Sequence, residues 1–340
     1  MTQNKPIRVL VVDDSLVFRE VLSRGIASDP NIEVVAKAVD PYDARDKIIQ
    51  FKPDVMTCDV EMPRMNGIEF ISRLLPQYPL PVIVVSTVSE AVFDAMNAGA
   101  VEFVTKPDTQ SPKSVETFIY DLIKKIKIAA GSKVTAGGSA LAANVPSTGA
   151  ADTGKLVAIG ASTGGTEAIC SILKSVPAIM PGILIVQHIP PVFSRMFAER
   201  LDKMTQLAVK EAQPGDWVEQ GKALVAPGDR HMRVKKVGDR FRVEVFEGEK
   251  VNGHCPSVDV LFESVAKEAG NIAVGVILTG MGCDGAKGLL AMRRNGARTI
   301  GQDERSSVVY GMPKVAYDIG AVERQLPLQD IPQQLMAVLK

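Results

Sequence analysis

Leu156-Val157-Ala158-Ile159-Gly160-Ala161-Ser162-Thr163-Gly164-Gly165 reads as a short buried strand running into a glycine-flanked turn. The next segment, Glu167 to Ser175, is helix-like. Strand, sharp turn and helix in that order are the unit of a parallel α/β sheet, whose chemistry gathers at the carboxyl ends of its strands. A serine on such a turn has its hydroxyl above the sheet, and the helix N-terminus offers backbone N–H groups to a developing oxyanion. Gly160 to Gly164 also fits the G-x-S-x-G spacing of a nucleophile elbow. The same turn serves equally as a cradle for a phosphate or a dinucleotide. One turn cannot separate these readings, so the other strand ends have to.

Downstream, Gly182–Val186 and Ile272–Leu278 are short, apolar and rich in β-branched residues, and Leu224 to Ala226 reads as a strand before a Pro-Gly-Asp turn. Val234–Val237 and Phe241–Phe246 alternate around Gly238-Asp239-Arg240, which predicts a hairpin. Residues 155–340 are therefore expected to form a doubly wound α/β domain with a β-hairpin excursion. Its strand ends carry Ser162, then Gln187-His188, then Thr279 to Gly285 with Asp284. Serine, histidine and aspartate on three strand ends are the set for nucleophile, general base and orienting acid. The order Ser…His…Asp differs from the Ser…Asp…His of the α/β-hydrolases and excludes that family. Bland readings stand beside each residue. His188 could be structural, with His231 in a polar turn and His254 in a loop as rival bases. Asp284 could cap a helix over Ala286–Arg293, and Gly280 to Gly285 could be a phosphate loop. Asp259 is a rival acid, though it sits better in a capped helix start before Val260–Ala269. Val192, Phe193, Met196, Phe197 and Leu201 after His188 have the spacing of a helix's core face.

Upstream, apolar runs at Ile7–Val12, Ile32–Ala36, Val55–Cys58, Val82–Val85 and Val101–Val104 alternate with helix-like segments near Leu16–Ala27, Tyr42–Phe51, Gly67–Leu75, Glu90–Ala98 and Ser114–Ile128. This predicts a second parallel, doubly wound sheet of five strands over residues 1–128. Its strand ends are Asp13-Asp14, Asp59, Ser86-Thr87 and Lys106-Pro107. Converging carboxylates repel unless a hard divalent cation joins them, and Mg²⁺ suits carboxylates plus water and phosphate. A lysine opposite can pair with Asp59 or with a phosphoryl group on it.

Between the halves, residues 129–154 are mostly Ala, Gly, Ser and Thr, the composition of a flexible tether. A length of 340 residues accommodates two domains. Zero formal net charge argues against a nucleic-acid binder driven by bulk charge, and no basic helix-turn-helix pattern follows the tether. No apolar stretch is long enough for a signal region or a membrane span, so a cytoplasmic protein without membrane insertion is expected. The four cysteines lack C-x-x-C spacing and imply reduced thiols.

Two resemblances sharpen this. Val11-Val12-Asp13-Asp14-Ser15, Asp59 with Glu61-Met62-Pro63 and Asn66-Gly67, Ser86, and Thr105-Lys106-Pro107 resemble a response-regulator receiver domain of flavodoxin-like fold. The resemblance implies phosphorylation of Asp59 by a chemotaxis-type sensor histidine kinase. It implies Mg²⁺ held by Asp13, Asp14, Asp59 and the backbone carbonyl of Glu61, with Lys106 and Ser86 as the switch pair and a short fourth helix. It also allows a cis Lys106–Pro107 bond. Gly160 to Gly165, Gln187-His188, Ala226 to His231, Pro256 to Phe262 and Thr279 to Gly285 resemble the methylesterase domain of chemotaxis receptor protein-glutamate methylesterases. That implies a triad of Ser162, His188 and Asp284, oxyanion-hole N–H groups from Thr163 and Met281, and no cofactor for the ester chemistry. The implied substrates are glutamate methyl esters, and some glutamines, on chemoreceptors. The residues alone reach only acyl transfer. They leave open a non-enzymatic signalling module that binds phosphate or nucleotide at its glycine-rich turns.

Overall fold

The computed structural model describes residues 5–87, 90–107, 111–132 and 154–340. They fall into two compact units, split within the segment between 132 and 154.

In the first unit, strands β1 (Ile7–Val12), β2 (Ile32–Ala38), β3 (Val55–Asp59), β4 (Val82–Ser86) and β5 (Glu102–Thr105) form a parallel sheet in the order β2-β1-β3-β4-β5. This is the flavodoxin-like winding, in which the chain reverses direction between β1 and β3. Helices α1 (Leu16–Ile26), α2 (Pro41–Phe51), α3 (Gly67–Leu74), α4 (Ala91–Asn97) and α5 (Pro112–Ala130) connect and flank the strands. β3 and β4 are buried at every position, which is why they read as continuous apolar runs. The helix starts follow from local chemistry. Ser15, Asp40 and Asn66 accept N–H bonds of the first turns of α1, α2 and α3, and Pro41 opens α2. The fourth helix is short, at seven residues. α5 continues through Ala130, so the first residues assigned to the tether are helical; the rest of it, 133–153, lies outside the described residues. Among the described residues the cis peptide bond is Cys255–Pro256, and Lys106–Pro107 is trans. Proline narrows the trans preference to about 0.5–1 kcal/mol, so a sequence motif does not choose the isomer by itself.

In the second unit the strands are β6 (Leu156–Ala161), β7 (Gly182–Gln187), β8 (Ala208–Glu211), β9 (Lys222–Val225), β10 (His231–Val237), β11 (Arg240–Phe246), β12 (Ala273–Ile277), β13 (Arg298–Gln302) and β14 (Arg324–Leu326). Seven of them make one parallel sheet, β14-β13-β12-β6-β7-β9-β8, and β10–β11 is the separate hairpin. The helices are α6 (Gly165–Lys174), α7 (Phe193–Met204), α8 (Val258–Glu268), α9 (Ala286–Arg294), α10 (Met312–Asp318) and α11 (Ile331–Val338). α8 packs between the sheet and the hairpin, and its Leu261, Phe262 and Val265 lie in the same core as Met232, Val234 and Val243. The chain begins this sheet at its middle, builds outward through β7, then returns to the other side of β6 as β12. The crevice at that reversal is bounded by the ends of β6, β7 and β12. Those are the three strands that precede Ser162, His188 and Asp284.

Candidate active site

Register explains why the three residues meet. Ala161 pairs with Gln187 at the ends of β6 and β7, and the His188 N–H donates to the Ala161 carbonyl at 3.1 Å. Across β6, Ile277 pairs with Gly160, and the Ser162 N–H donates to Thr279 O at 3.0 Å. Gly280 then passes so close that a Cβ on it would stand 2.6 Å from Ser162 Cβ. Only glycine fits there without moving the serine.

His188 Nε2 lies 2.8 Å from Asp284 Oδ2. The carboxylate is gripped further by Asn252 Nδ2 at 2.8 Å, Ser257 Oγ at 2.7 Å, Val258 N at 2.7 Å and Asp259 N at 3.2 Å. The two backbone donors belong to the first turn of α8, whose N-cap is Ser257, so Asp284 is an anion seated on that helix N-terminus. Burial would raise its pKa, but the His188 bond and charge, with the Asn252 and Ser257 bonds, outweigh it and hold the carboxyl well below the usual range. Asp284 is therefore not the cap of its own helix: α9 starts after Gly285 with no side-chain cap. With Nε2 committed, His188 Nδ1 is buried and makes no hydrogen bond, so the Ser162 hydroxyl is not bonded to it in this conformation. Such bonds are often long in the absence of substrate.

The rival residues resolve. His231 is buried with both ring nitrogens engaged, Nδ1 accepting from Ser257 N and Nε2 bonding Glu249 O. Asp259 accepts from Gly288 N and Asn252 Nδ2 and has its carboxyl pushed up by burial. His254 lies flat against His188, with ring centroids 3.7 Å apart and planes 7° from parallel. Thr163 is buried next to Ser162 in the chain, and the Met281 N–H has no backbone acceptor among the described residues. Phe193, Phe197 and Leu201 are core, as their spacing predicts, whereas Val192 is half exposed at a φ of 72°. Gln187, Asn252 and Ser257 have partners that the sequence reading missed. Gln187 Nε2 donates to the carbonyls of Ser162 (2.8 Å) and His188 (3.2 Å), tying the two turns together. Asn252-Gly253 carried a usable signal, because that pair favours a two-residue turn with positive φ at both positions.

In the first unit, Asp13, Asp14 and Asp59 each bring a carboxylate oxygen within 4.8 Å of the others. Lys106 Nζ lies 2.6 Å from Asp59 Oδ2 and 3.3 Å from Asp13 Oδ2. That Asp13 oxygen is buried and makes no hydrogen bond. Burial pushes both Asp13 and Asp59 above the ordinary carboxylate value, against the pull of Lys106. A pocket with three carboxylates against one lysine, and a buried carboxylate oxygen that makes no hydrogen bond, is suited to a small divalent cation. The Glu61 N–H contacts Asp59 Oδ1 at 3.3 Å. Ser86 ends β4 with its hydroxyl buried and unpaired, whereas Thr87 is exposed.

Residues 157–335 match the CheB methylesterase family. The chain belongs to that family. Residues 9–113 match the response regulator receiver domain. A protein-glutamate methylesterase/protein-glutamine glutaminase 2 of Syntrophomonas wolfei is 59% identical over 335 residues, covering 98% of both chains. A protein-glutamate methylesterase/protein-glutamine glutaminase of Salmonella typhimurium is 46% identical over 336 residues, covering 97% of this chain and 96% of that one. The crystal structure of the Thermotoga maritima CheB methylesterase catalytic domain aligns with a TM-score of 0.54 at 36% identity, over 55% of this chain and all of that one. Family membership and the receiver match account for both resemblances read from the residues.

Proposed function

We propose that the chain is a phosphorylation-regulated protein-glutamate methylesterase and protein-glutamine deamidase acting on bacterial chemoreceptors. The reading is carried by one observation: His188, bonded through Nε2 to a carboxylate held by four further donors, follows the strand next to the one that delivers Ser162. Ser162 attacks the ester carbonyl. His188 accepts its proton at Nδ1, the nitrogen that Asp284 leaves open, and Asp284 fixes the tautomer and stabilises the imidazolium. Backbone N–H groups of Thr163 and Met281 receive the oxyanion. Methanol departs from an ester, or ammonia from a glutamine, taking the proton from His188. Water then hydrolyses the acyl-enzyme to release glutamate.

Asp59 is the phosphoacceptor, supplied by a chemotaxis-type sensor kinase. Asp13, Asp14, Asp59 and the Glu61 carbonyl would hold Mg²⁺, which when bound neutralises charge for phosphoryl transfer. Lys106 pairs with the acceptor, and the Ser86 hydroxyl is the donor at hand for a phosphoryl oxygen.

Ser162→Ala tests the reading. The variant should fold and be phosphorylated, yet release no methanol from methylated receptor and resist fluorophosphonate labelling. Undiminished turnover would remove the serine mechanism. Nucleotide affinity with no labelling of the unaltered protein would favour the non-enzymatic module.

A further inference from the structure

The hydrogen bond to Asp284 fixes one atom of the His188 ring and leaves its plane under-determined. The histidine χ2 well is broad. Nε2 lies closer to the Cβ–Cγ axis than Nδ1, so torsion about that bond swings Nδ1 further than it disturbs the carboxylate contact. A base whose proton-accepting nitrogen is Nδ1 therefore needs a second constraint. His254 supplies one, stacked at 3.7 Å with planes only 7° apart.

The stacked ring is itself anchored. Val251 and His254 exchange backbone hydrogen bonds of 3.0 and 2.9 Å around Asn252 and Gly253, whose φ values of 53° and 83° make a tight two-residue turn. Asn252 Nδ2 reaches both Asp284 Oδ1 (2.8 Å) and Asp259 Oδ2 (2.7 Å). One turn thus holds the carboxylate through Asn252 and covers the imidazole with His254, so the two partners of His188 are set in a common frame.

We propose that His254 is the positioning residue of the esterase: its ring, carried on the Val251–His254 turn, fixes the plane of the His188 imidazole by stacking and takes no proton in the reaction. The proposal rests on the serine mechanism above. It is tested in the full-length chain with His254→Ala and His254→Phe, measuring methanol release from methylated receptor and fluorophosphonate labelling of Ser162. His254→Ala should lose roughly 10- to 100-fold in kcat with little change in KM, the scale of a misplaced catalytic group. His254→Phe restores a flat ring without a titratable nitrogen and should recover most of that loss. Two results overturn the proposal: an alanine variant as fast as the unaltered protein, or a phenylalanine variant as slow as alanine, which would mean that the nitrogens matter. Should either variant fail to fold, the unaltered protein still decides. Cross-ring nuclear Overhauser contacts between His188 and His254 are expected, and their absence overturns the stacking. Normal labelling of Ser162 alongside an indifferent His254→Ala sinks this inference alone, whereas absent labelling of the unaltered protein sinks the hydrolase reading.

Discussion

At the residue scale, Asp284 is the side chain whose surroundings do most for the site. Five donors converge on its two oxygens, and only the one from His188 belongs to the expected triad. Asp284→Asn places an amide NH₂ or a weaker acceptor against the α8 N-terminus and loses the tautomer control. The rate of ester hydrolysis should fall by on the order of 10³–10⁴. The same variant reports on pH. Asp284 has a folded-state pKa below its unfolded value, so its stabilisation is fully present above the unfolded carboxylate value of about 3.9 and is lost only as pH falls through the lower folded value. The carboxylate's share of the difference in unfolding free energy between the native chain and Asp284→Asn should therefore shrink as pH falls below about pH 4. Urea titrations across that acid range check it, and a difference that stays constant as pH falls below about pH 4 would contradict the bonding described. Ser162 and His188 were legible in the sequence because each directly follows an apolar strand, Asp59 because it ends one, and Asp284 because it lies in the glycine-rich loop after β12, all places where an α/β sheet displays its chemistry. Asn252 and Ser257 were not, because their partners are separated from them by 32 and 27 residues and nothing local encodes that contact.

At the scale of elements, the strands with apolar β-branched runs and the helices with caps were readable to within a few residues. β8, β13, α10 and β14 were not. β8 alternates exposed and buried positions at the sheet edge and carries charged Lys210 and Glu211, while β14 is a three-residue edge strand beginning with Arg324. β13 reads Arg-Thr-Ile-Gly-Gln, with a single large apolar residue, yet four of its five positions are buried by the strands and helices around it. Burial there comes from tertiary packing, which periodicity does not register. In the receiver, the β3–α3 connection is the element on which Asp59, the proposed phosphoacceptor, depends. Gly67 packs so closely that a Cβ would stand 2.1 Å from the backbone oxygen of Asp59, while Asn66 caps α3 just before it. Gly67→Ala must push backbone against backbone, with no flexible side chain to yield. It should lower receiver stability by about 1–3 kcal/mol. By displacing Asp59, it should also slow labelling by a small-molecule phosphodonor more than the lost stability accounts for. Unchanged melting and phosphorylation would show that the loop has slack the packing does not suggest.

At the scale of the whole molecule, the chain joins a phosphorylatable unit to a hydrolytic one, and the coupling between them is a free energy that experiment can isolate. The receiver can influence the esterase only through a difference in free energy between arrangements that phosphorylation shifts. If the unphosphorylated receiver restrains the esterase, removing it should release activity rather than abolish it. The fragment 154–340 contains the complete seven-stranded sheet and the hydrogen-bond partners of Asp284 described above, and the solved Thermotoga maritima catalytic domain covers 55% of this chain. It should therefore fold unaided. The expected order of methanol release from methylated receptor is fragment and phosphorylated full-length chain above unphosphorylated full-length chain. Asp59→Ala should lock the full-length protein at its lowest rate. A fragment slower than the unphosphorylated whole, with its Ser162 labelled normally by fluorophosphonate, would mean that the receiver helps to assemble or present substrate, so that phosphorylation adds a favourable interaction instead of lifting a restraint. The two cases also differ in KM: relief of a restraint on access raises kcat/KM of the fragment, whereas loss of a substrate-presenting contact raises the fragment's KM and leaves its labelling rate unchanged.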